Sequence, residues 1–355
     1  MKALITGITG QDGPYLAKLL LSKGYEVYGG YRREATGRFS NLEYLGILKH
    51  PCLHLVPVEL TEYESVRQTI EDVRPLRIYN LAAQSHVGLS FSTPTSTMMS
   101  TGLGVTHVLE AVRRCYKRHE DVRVYQASTS ELFGGVAGRT HTFTEDTPFH
   151  PRSPYACAKL YAYSMMRNYR EAYDMFTCNG ILFNHESPLR GPNFVTRKVT
   201  LKAAEIVSKL RRNESFRPLE IGNIDASRDW GHAEDYVNAM HLMMEHNEPS
   251  DYVIATGVNH TIRELITLAF QSFGYEGRWE GDGIDAKYYV YVPGSSNRES
   301  LIAKVNPEFF RPSDCSDLTG DASKARMELG WRPKYDFEKL VEEMAHADYK
   351  RLVRE

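Results

Sequence analysis

The sequence predicts an α/β protein built on a doubly wound parallel sheet, and three observations carry that prediction. Short apolar stretches alternate with amphipathic ones through the first half of the 355-residue chain, as in strands linked by crossover helices. The first apolar stretch, Lys2–Thr6, runs directly into Gly7-Ile8-Thr9-Gly10-Gln11-Asp12-Gly13 and then into an amphipathic segment, Pro14–Lys23. Further on, Tyr155 and Lys159 follow Ala127-Ser128-Thr129-Ser130-Glu131 and stand one helical turn apart.

Each element can be justified in turn. The Pro14–Lys23 helix turns Leu16, Leu19 and Leu20 inward, and Pro14 is acceptable in a first turn, whose amides lack partners. A strand, a glycine turn and a helix N-terminus together make a pyrophosphate site: glycines permit close backbone approach, and free amides with the helix dipole attract the anion. Gly7, Thr9, Gly10, Gln11, Asp12 and Gly13 are therefore candidate cofactor-binding residues, although the glycine spacing is three and three rather than two and three. The second strand, Glu26–Gly30, ends in Tyr31-Arg32-Arg33; arginines there suit the 2′-phosphate of NADP, where an acidic residue would suit NAD. Arg32 is the candidate, with a surface arginine as the plainer alternative. A third strand, His54–Val58, leads into Glu59 and Leu60 as an adenine wall, and a fourth, Arg77–Leu81, runs into Ala82-Ala83-Gln84-Ser85. Strands follow at Val122–Ala127 and Thr177–Phe183, with helices at Tyr63–Val73, about Gly104–Arg118 and Tyr155–Tyr173.

After Phe183 the alternation weakens. Asn184–Gly191 reads as a polar loop broken by Pro188, Gly281–Asn297 as a mobile loop, and helices are expected after Thr261, capped by Glu264, and from about Asp321 to Gly330. The expected division is a Rossmann-like NADP-binding domain over 1–185, with a returning segment at about 220–260, and a smaller mixed α/β substrate lobe over 186–219 and 261–355.

Composition narrows the class. Forty-three basic and 45 acidic side chains leave a net charge of −2, which argues against nucleic-acid or polybasic membrane partners. No apolar run approaches a membrane span, and a signal peptide is not expected. The five cysteines (Cys52, Cys115, Cys157, Cys178, Cys315) are scattered and read as reduced thiols, and the 13 histidines form no metal-type pair. The expectation is a cytoplasmic enzyme without a metal.

Tyr155 and Lys159 share a helix face, so an ammonium can sit beside a phenol, lower its pKa and make it a general base. Thr129, Ser130 and Glu131 fall just past a strand's carboxyl end, where such folds place their chemistry, although a Thr-Ser-Glu triplet also caps turns. The glycine turn together with the Tyr-Lys pair resembles the extended short-chain dehydrogenase/reductases.

Longer stretches make the resemblance specific. ALITGITGQDG, YNLAAQSHVGLSF, YQASTSELFG, TEDTPFHPRSPYACAKLYAY, GILFNHESPLRG, FVTRK, RDWGHAEDYV and the late FFRPSD, GDASKA and LGW are similar to those of GDP-mannose 4,6-dehydratases over essentially the whole chain. The resemblance implies conversion of GDP-mannose to GDP-4-keto-6-deoxymannose by oxidation at C4, loss of water across C5–C6 and return of the hydride to C6. It implies Tyr155 as base at O4 and Lys159 as its partner, bonded also to the nicotinamide ribose, both of them cofactor-binding, with Glu131 as base at C5 and then acid at O6, and Thr129 near O4. Ser85, Ser130, Glu131 and Asn184 then face the sugar, and His185 and Arg190 lie near NADP. Lys198 and Arg228 take the GDP diphosphate, and Arg311 and Asp314 the nucleotide portion. Asn184 and His185 as ordinary loop residues, Lys198 and Arg228 as surface charges and Trp230 as core packing are the plainer alternatives.

Some positions depart from the family pattern. Glu59 and Asp314 exchange carboxylate lengths, Pro14 replaces a small residue, and the Gly134–His141 stretch is longer and richer in glycine. That stretch motivates an alternative substrate, a related GDP-sugar such as GDP-manno-heptose. A reductase or 4-epimerase needs no base at C5, a decarboxylase needs a uronate contact that is not evident, and a catalytically dead NADP sensor would lack Tyr155, Lys159 or Glu131. Arg32, Arg33 and Arg38 occupy the segment that in relatives reaches a neighbouring subunit, which implies a homotetramer built as a dimer of dimers.

Overall fold

A computed structural model describes residues 1–33, 39–135, 141–292, 299–309 and 318–353. Seven parallel strands form its main sheet, numbered here as β1 (Lys2–Thr6), β2 (Glu26–Tyr31), β3 (Leu53–Pro57), β4 (Arg77–Asn80), β5 (Arg123–Ala127), β6 (Phe176–Leu182) and β7 (Tyr252–Ile254). Their order is β7-β6-β5-β4-β1-β2-β3, so the predicted doubly wound sheet is present. The chain reverses direction across the sheet between β1 and β4, which opens a crevice at the carboxyl ends of these two strands.

Both sheet faces are apolar because the strands are covered twice. On one face the helices Asp12–Ser22 and Ala233–Glu245 bury Leu16, Leu20 and Met240. On the other, Tyr63–Val73, Gly104–Cys115 and Pro154–Tyr173 bury Ile70, Val112 and Met166. A second core, around Val207, Phe270 and Tyr288, joins the helices Val195–Arg211, Ile262–Gln271 and Phe337–Leu352 to a four-stranded sheet. That sheet runs Gly277–Glu280, Lys287–Tyr291, Glu299–Val305, Leu219–Ile221.

The structure corrects several expectations in this half. Lys287–Tyr291, inside the stretch expected to be a mobile loop, is a strand with Tyr288 and Val290 buried. Its alternation was masked by the flanking glycines, while 293–298 lie outside the described residues. Asn184–Glu186, expected as loop, pairs in parallel with Trp230–His232. The carboxy-terminal helix Phe337–Leu352 was not foreseen. The helix expected from Asp321 to Gly330 shortens to Ser323–Glu328. Thr261 does cap its helix, with Glu264 completing a capping box.

Candidate active site

A cleft of about 1980 Å³ opens along the carboxyl ends of the main strands. The glycine turn forms one wall. Gly7 has φ +74°, and a Cβ there would lie 2.9 Å from the Ala82 backbone. At Gly13 a Cβ would lie 2.6 Å from the Gly7 carbonyl oxygen, so turn and helix close on each other only without side chains. The helix starts at Asp12, two residues earlier than expected, and Gln11 gives it no side-chain cap. Thr9, Gly10, Gln11 and Asp12 border the cleft with the two glycines, as do Arg32, Glu59, Leu60, Ala82, Ala83 and Ser85. The Glu59 carboxylate is engaged, accepting from the backbone N–H and hydroxyl of Thr61 at 3.2 and 2.9 Å.

A polar network crosses the strand ends beneath the cleft. Thr6 donates to Asn80 (2.6 Å), Asn80 to Gln126 (2.7 Å) and Gln126 to the Ala127 carbonyl (2.8 Å). That carbonyl also accepts from Lys159 Nζ at 2.7 Å. These buried polar residues were missed at the sequence level. Their signal was available: Thr6, Asn80 and Gln126 are each a polar residue at or next to the carboxyl end of a strand, after an apolar run.

Ser153 caps the helix Pro154–Tyr173, with Pro154 in its first turn, which fixes Tyr155 at the helix start and Lys159 one turn below. Both are buried, and Lys159 Nζ lies 5.8 Å from the Tyr155 ring centroid. The expected lowering of the phenol's pKa by the ammonium is not what the structure shows. Burial pushes the Tyr155 phenol up to about 12, against lowering by the Thr129 hydroxyl. Burial also brings the Lys159 ammonium down to about 8. The physical reason is that Lys159 points at the Ala127 carbonyl while both groups lose water.

Thr129 serves two ends. Its hydroxyl accepts from the Glu131 N–H at 3.2 Å, capping the short turn Ser130–Phe133, and it borders the cleft. Glu131 lies in the same cleft, its carboxyl held above its usual range by burial, with the Arg228 charge opposing. Gly134 ends that turn at φ +68°, where a Cβ would overlap the His150 carbonyl. The rest of the glycine-rich stretch, 136–140, lies outside the described residues, as do Arg38, Arg311 and Asp314.

Asn184, His185, Arg190 and Arg228 reach the cleft from the paired strands and the turn after them. Arg190 sits with Nε 3.0 Å from Glu186 Oε2 and its guanidinium carbon 3.5 Å from the Phe194 ring centroid. Glu186 and Phe194 were not singled out from the sequence. Lys198 does not border this cleft. It lies in an adjoining depression of about 670 Å³, its Nζ donating to the Glu220 carbonyl at 2.9 Å. Trp230 is core, stacked on Phe337 with ring centroids 5.6 Å apart, and also walls a smaller cavity of about 350 Å³ that includes Asn184, Glu186 and Arg228.

This constellation sits in a chain whose residues 4–344 match the family model described as GDP-mannose 4,6 dehydratase. The chain belongs to the GDP-mannose 4,6-dehydratase family. A GDP-mannose 4,6 dehydratase of Drosophila melanogaster is 48% identical over 353 residues, covering 98% of this chain and 85% of that one. Among solved structures, the UDP-glucose 4-epimerase of Thermotoga maritima with UDP-glucose aligns at TM-score 0.78 and 21% identity, over 100% of each chain. The dTDP-glucose 4,6-dehydratase of Bacillus anthracis, in complex with NAD, aligns at TM-score 0.76 and 21% identity, over 99% of this chain and 97% of that one. An epimerase and a dehydratase thus share the fold, which by itself does not choose a reaction. Sequence places the chain with the GDP-mannose 4,6-dehydratases. Among the described residues, no three metal-ligating side chains cluster, and no helix is long and apolar enough to cross a membrane.

Proposed function

We propose that the chain removes water from GDP-mannose to give GDP-4-keto-6-deoxymannose, with NADP as a cofactor restored in each turnover. The observation that carries this reading is a half-buried carboxylate, Glu131, in the same cleft as the Tyr155–Lys159 pair. A pure oxidoreductase or epimerase needs the pair, whereas a dehydratase also needs a base at C5.

The cleft suits the cofactor. The turn at Gly7 and Gly13 admits no side chain, and among the described residues the helix Asp12–Ser22 begins beside it without a side-chain cap and the buried Ser128 hydroxyl has no partner. We assign Gly7, Thr9, Gly10, Gln11, Asp12 and Gly13 to the pyrophosphate side. Arg32 takes the 2′-phosphate, Glu59 and Leu60 wall the adenine, Ala82, Ala83 and Ser85 line the cofactor site, and His185 and Arg190 close the far side. NADP supplies a hydride acceptor for C4 and the donor that later serves C6.

The chain's own residues handle the protons. Tyr155, as phenolate, takes the O4 proton, with Thr129 hydrogen-bonding the same oxygen and Lys159 holding the phenolate. The 4-ketone acidifies C5–H, and Glu131 takes that proton. The raised pKa of Glu131 lets the same group hand a proton to the departing O6, so water leaves and a C5–C6 double bond forms. As C6 gains the hydride that C4 gave up, C5 takes a proton from Glu131, reprotonated from solvent, and Tyr155 releases the O4 proton to solvent. Ser85, Ser130 and Asn184 orient the sugar, and Arg228 meets the diphosphate, as does Lys198 from the adjoining depression. Arg311 and Asp314 complete the nucleotide site. In this reading 1–185 with about 220–260 serves the cofactor, and 186–219 with 261–355 serves the GDP-sugar. The working unit is a homotetramer in the cytoplasm.

Mass spectrometry after incubation with GDP-mannose and substoichiometric NADP⁺ tests the reading. Loss of one water without accumulating NADPH supports it. Unchanged GDP-mannose in the presence of bound NADP contradicts it and moves the substrate to a larger GDP-sugar such as GDP-manno-heptose.

A further inference from the structure

We propose that Asp348, on the carboxy-terminal helix, is a positioning residue for Arg190 and acts through Arg197. The proposal rests on the assignment of Arg190 to NADP made above.

Asp348 is 1% exposed and lies outside every cleft described. Its Oδ2 accepts from Arg197 Nε at 2.8 Å and from the Thr200 hydroxyl at 2.7 Å. Its Oδ1 lies 2.8 Å from Arg197 Nη2 and 2.9 Å from Arg351 Nη1. The Arg197 guanidinium is therefore gripped edge-on by both carboxylate oxygens, which fixes its plane. The remaining nitrogen, Nη1, donates to the Pro188 carbonyl at 2.8 Å and the Arg190 carbonyl at 2.7 Å. Arg351 Nη2 donates to the Pro188 carbonyl as well, at 2.9 Å. Two guanidiniums organised on one buried carboxylate thus tie down the turn Ser187–Arg190, which is closed by its own 3.0 Å bond from the Arg190 N–H to the Ser187 carbonyl.

That turn delivers the Arg190 side chain to the cleft, where Glu186 and Phe194 set its direction. Backbone and side chain of Arg190 are thus held by different groups, and the backbone restraint originates on the helix Phe337–Leu352. Burying a carboxylate with two arginines adds little net stability compared with apolar packing, whereas it fixes geometry tightly. This combination fits a positioning role better than a merely structural one.

The test is a double-mutant cycle on full-length protein, reading the NADP⁺ dissociation constant by calorimetry beside the thermal midpoint. Arg197→Lys keeps a charge for Asp348 but cannot grip it edge-on and reach both carbonyls. It is expected to weaken NADP⁺ binding about tenfold, and in an Arg190→Ala background to add less than about twofold. Asp348→Asn is expected to follow the same pattern, and Arg351→Leu, which frees only part of the Pro188 carbonyl, to show a smaller loss. A lowered thermal midpoint with unchanged NADP⁺ affinity in Arg197→Lys, or full additivity with Arg190→Ala, would overturn the proposal alone. Unchanged affinity in Arg190→Ala would overturn the assignment of Arg190 to NADP, and this proposal with it.

Discussion

Asp12 and His185, 173 positions apart in the chain, meet at 2.9 Å between Oδ2 and Nε2. The other ring nitrogen, Nδ1, lies 2.8 Å from the Phe183 carbonyl. With Asp12 ionised both neighbours accept, an arrangement that favours the doubly protonated ring of His185. It also stacks on Tyr236, with ring centroids 4.4 Å apart. The pair joins the start of the glycine-turn helix to the strand carrying Asn184, the two halves of the cleft.

Burial favours a neutral His185 ring, but the Asp12 charge and hydrogen bond and the Phe183 carbonyl outweigh it and raise its pKa above 6.5. Burial likewise works against the Asp12 carboxylate, and His185 and Gln11 outweigh it, lowering the pKa below 3.8. A raised histidine stabilises fully below its unfolded value and loses that contribution as pH rises through the folded one. A depressed aspartate stabilises above its unfolded value and loses its contribution as pH falls through the folded one. His185→Gln should therefore cost on the order of 3 kcal/mol between about pH 4 and 6.5, and progressively less above. Denaturant unfolding across that range, with ring-nitrogen shifts from NMR, checks it. A neutral His185 near pH 6 would contradict it.

Glu131→Gln separates chemistry from stability. Product formation should fall about 10²–10⁴-fold, the range lost with a general base, and solvent deuterium should no longer enter C5. Because burial raises the Glu131 pKa, the ionised form costs folding free energy above its unfolded pKa and nothing below it. The variant should therefore melt higher than the parent at neutral pH and at the same temperature in acid. A lower melting point at neutral pH would mean that Glu131 makes favourable folded-state contacts instead.

Tyr155 offers a spectroscopic test. With its phenol pushed up to about 12, the ligand-free protein should show no phenolate absorbance from Tyr155 at its ordinary pKa of 10.0, judged by difference against Tyr155→Phe. Turnover by that variant should drop about 10²–10⁴-fold with NADP⁺ affinity nearly unchanged. A loss of affinity as large as the loss of turnover would make Tyr155 chiefly a cofactor anchor rather than the base.

Gly13→Ala tests the turn. Its Cβ would meet the Gly7 carbonyl oxygen at 2.6 Å and Ile8 Cα at 2.7 Å. Those are backbone atoms that cannot step aside, so NADP⁺ binding should be lost together with about 1–3 kcal/mol of stability. Retained binding, read by calorimetry, would show that the turn can open.

Much of the amino-terminal half was legible because local rules decide it. The glycine turn, the alternation from β1 to β6 and the Ser153–Pro154 helix start each carry their signal within a few residues. The carboxy-terminal half was harder to read because its order comes from distant pairing. Lys287–Tyr291 becomes a strand only beside Glu299–Val305 and Gly277–Glu280, and Asn184–Glu186 only beside Trp230–His232. Within the site, residue types pointed to Tyr155, Lys159 and Glu131, whereas the Tyr155 pKa depends on burial and on where Lys159 points, which spacing does not encode. Glu186 and Phe194 were missed for a similar reason: their meaning lies in the turn that folds Arg190 between them.

The central claim is an internal transfer of hydride from C4 to C6, and GDP-mannose deuterated at C4 tests it most directly. With substoichiometric NADP⁺, the account predicts a dehydrated product that keeps the deuterium, now at C6 by NMR. Deuterium accumulating in NADPH, or a product that carries none, would contradict it.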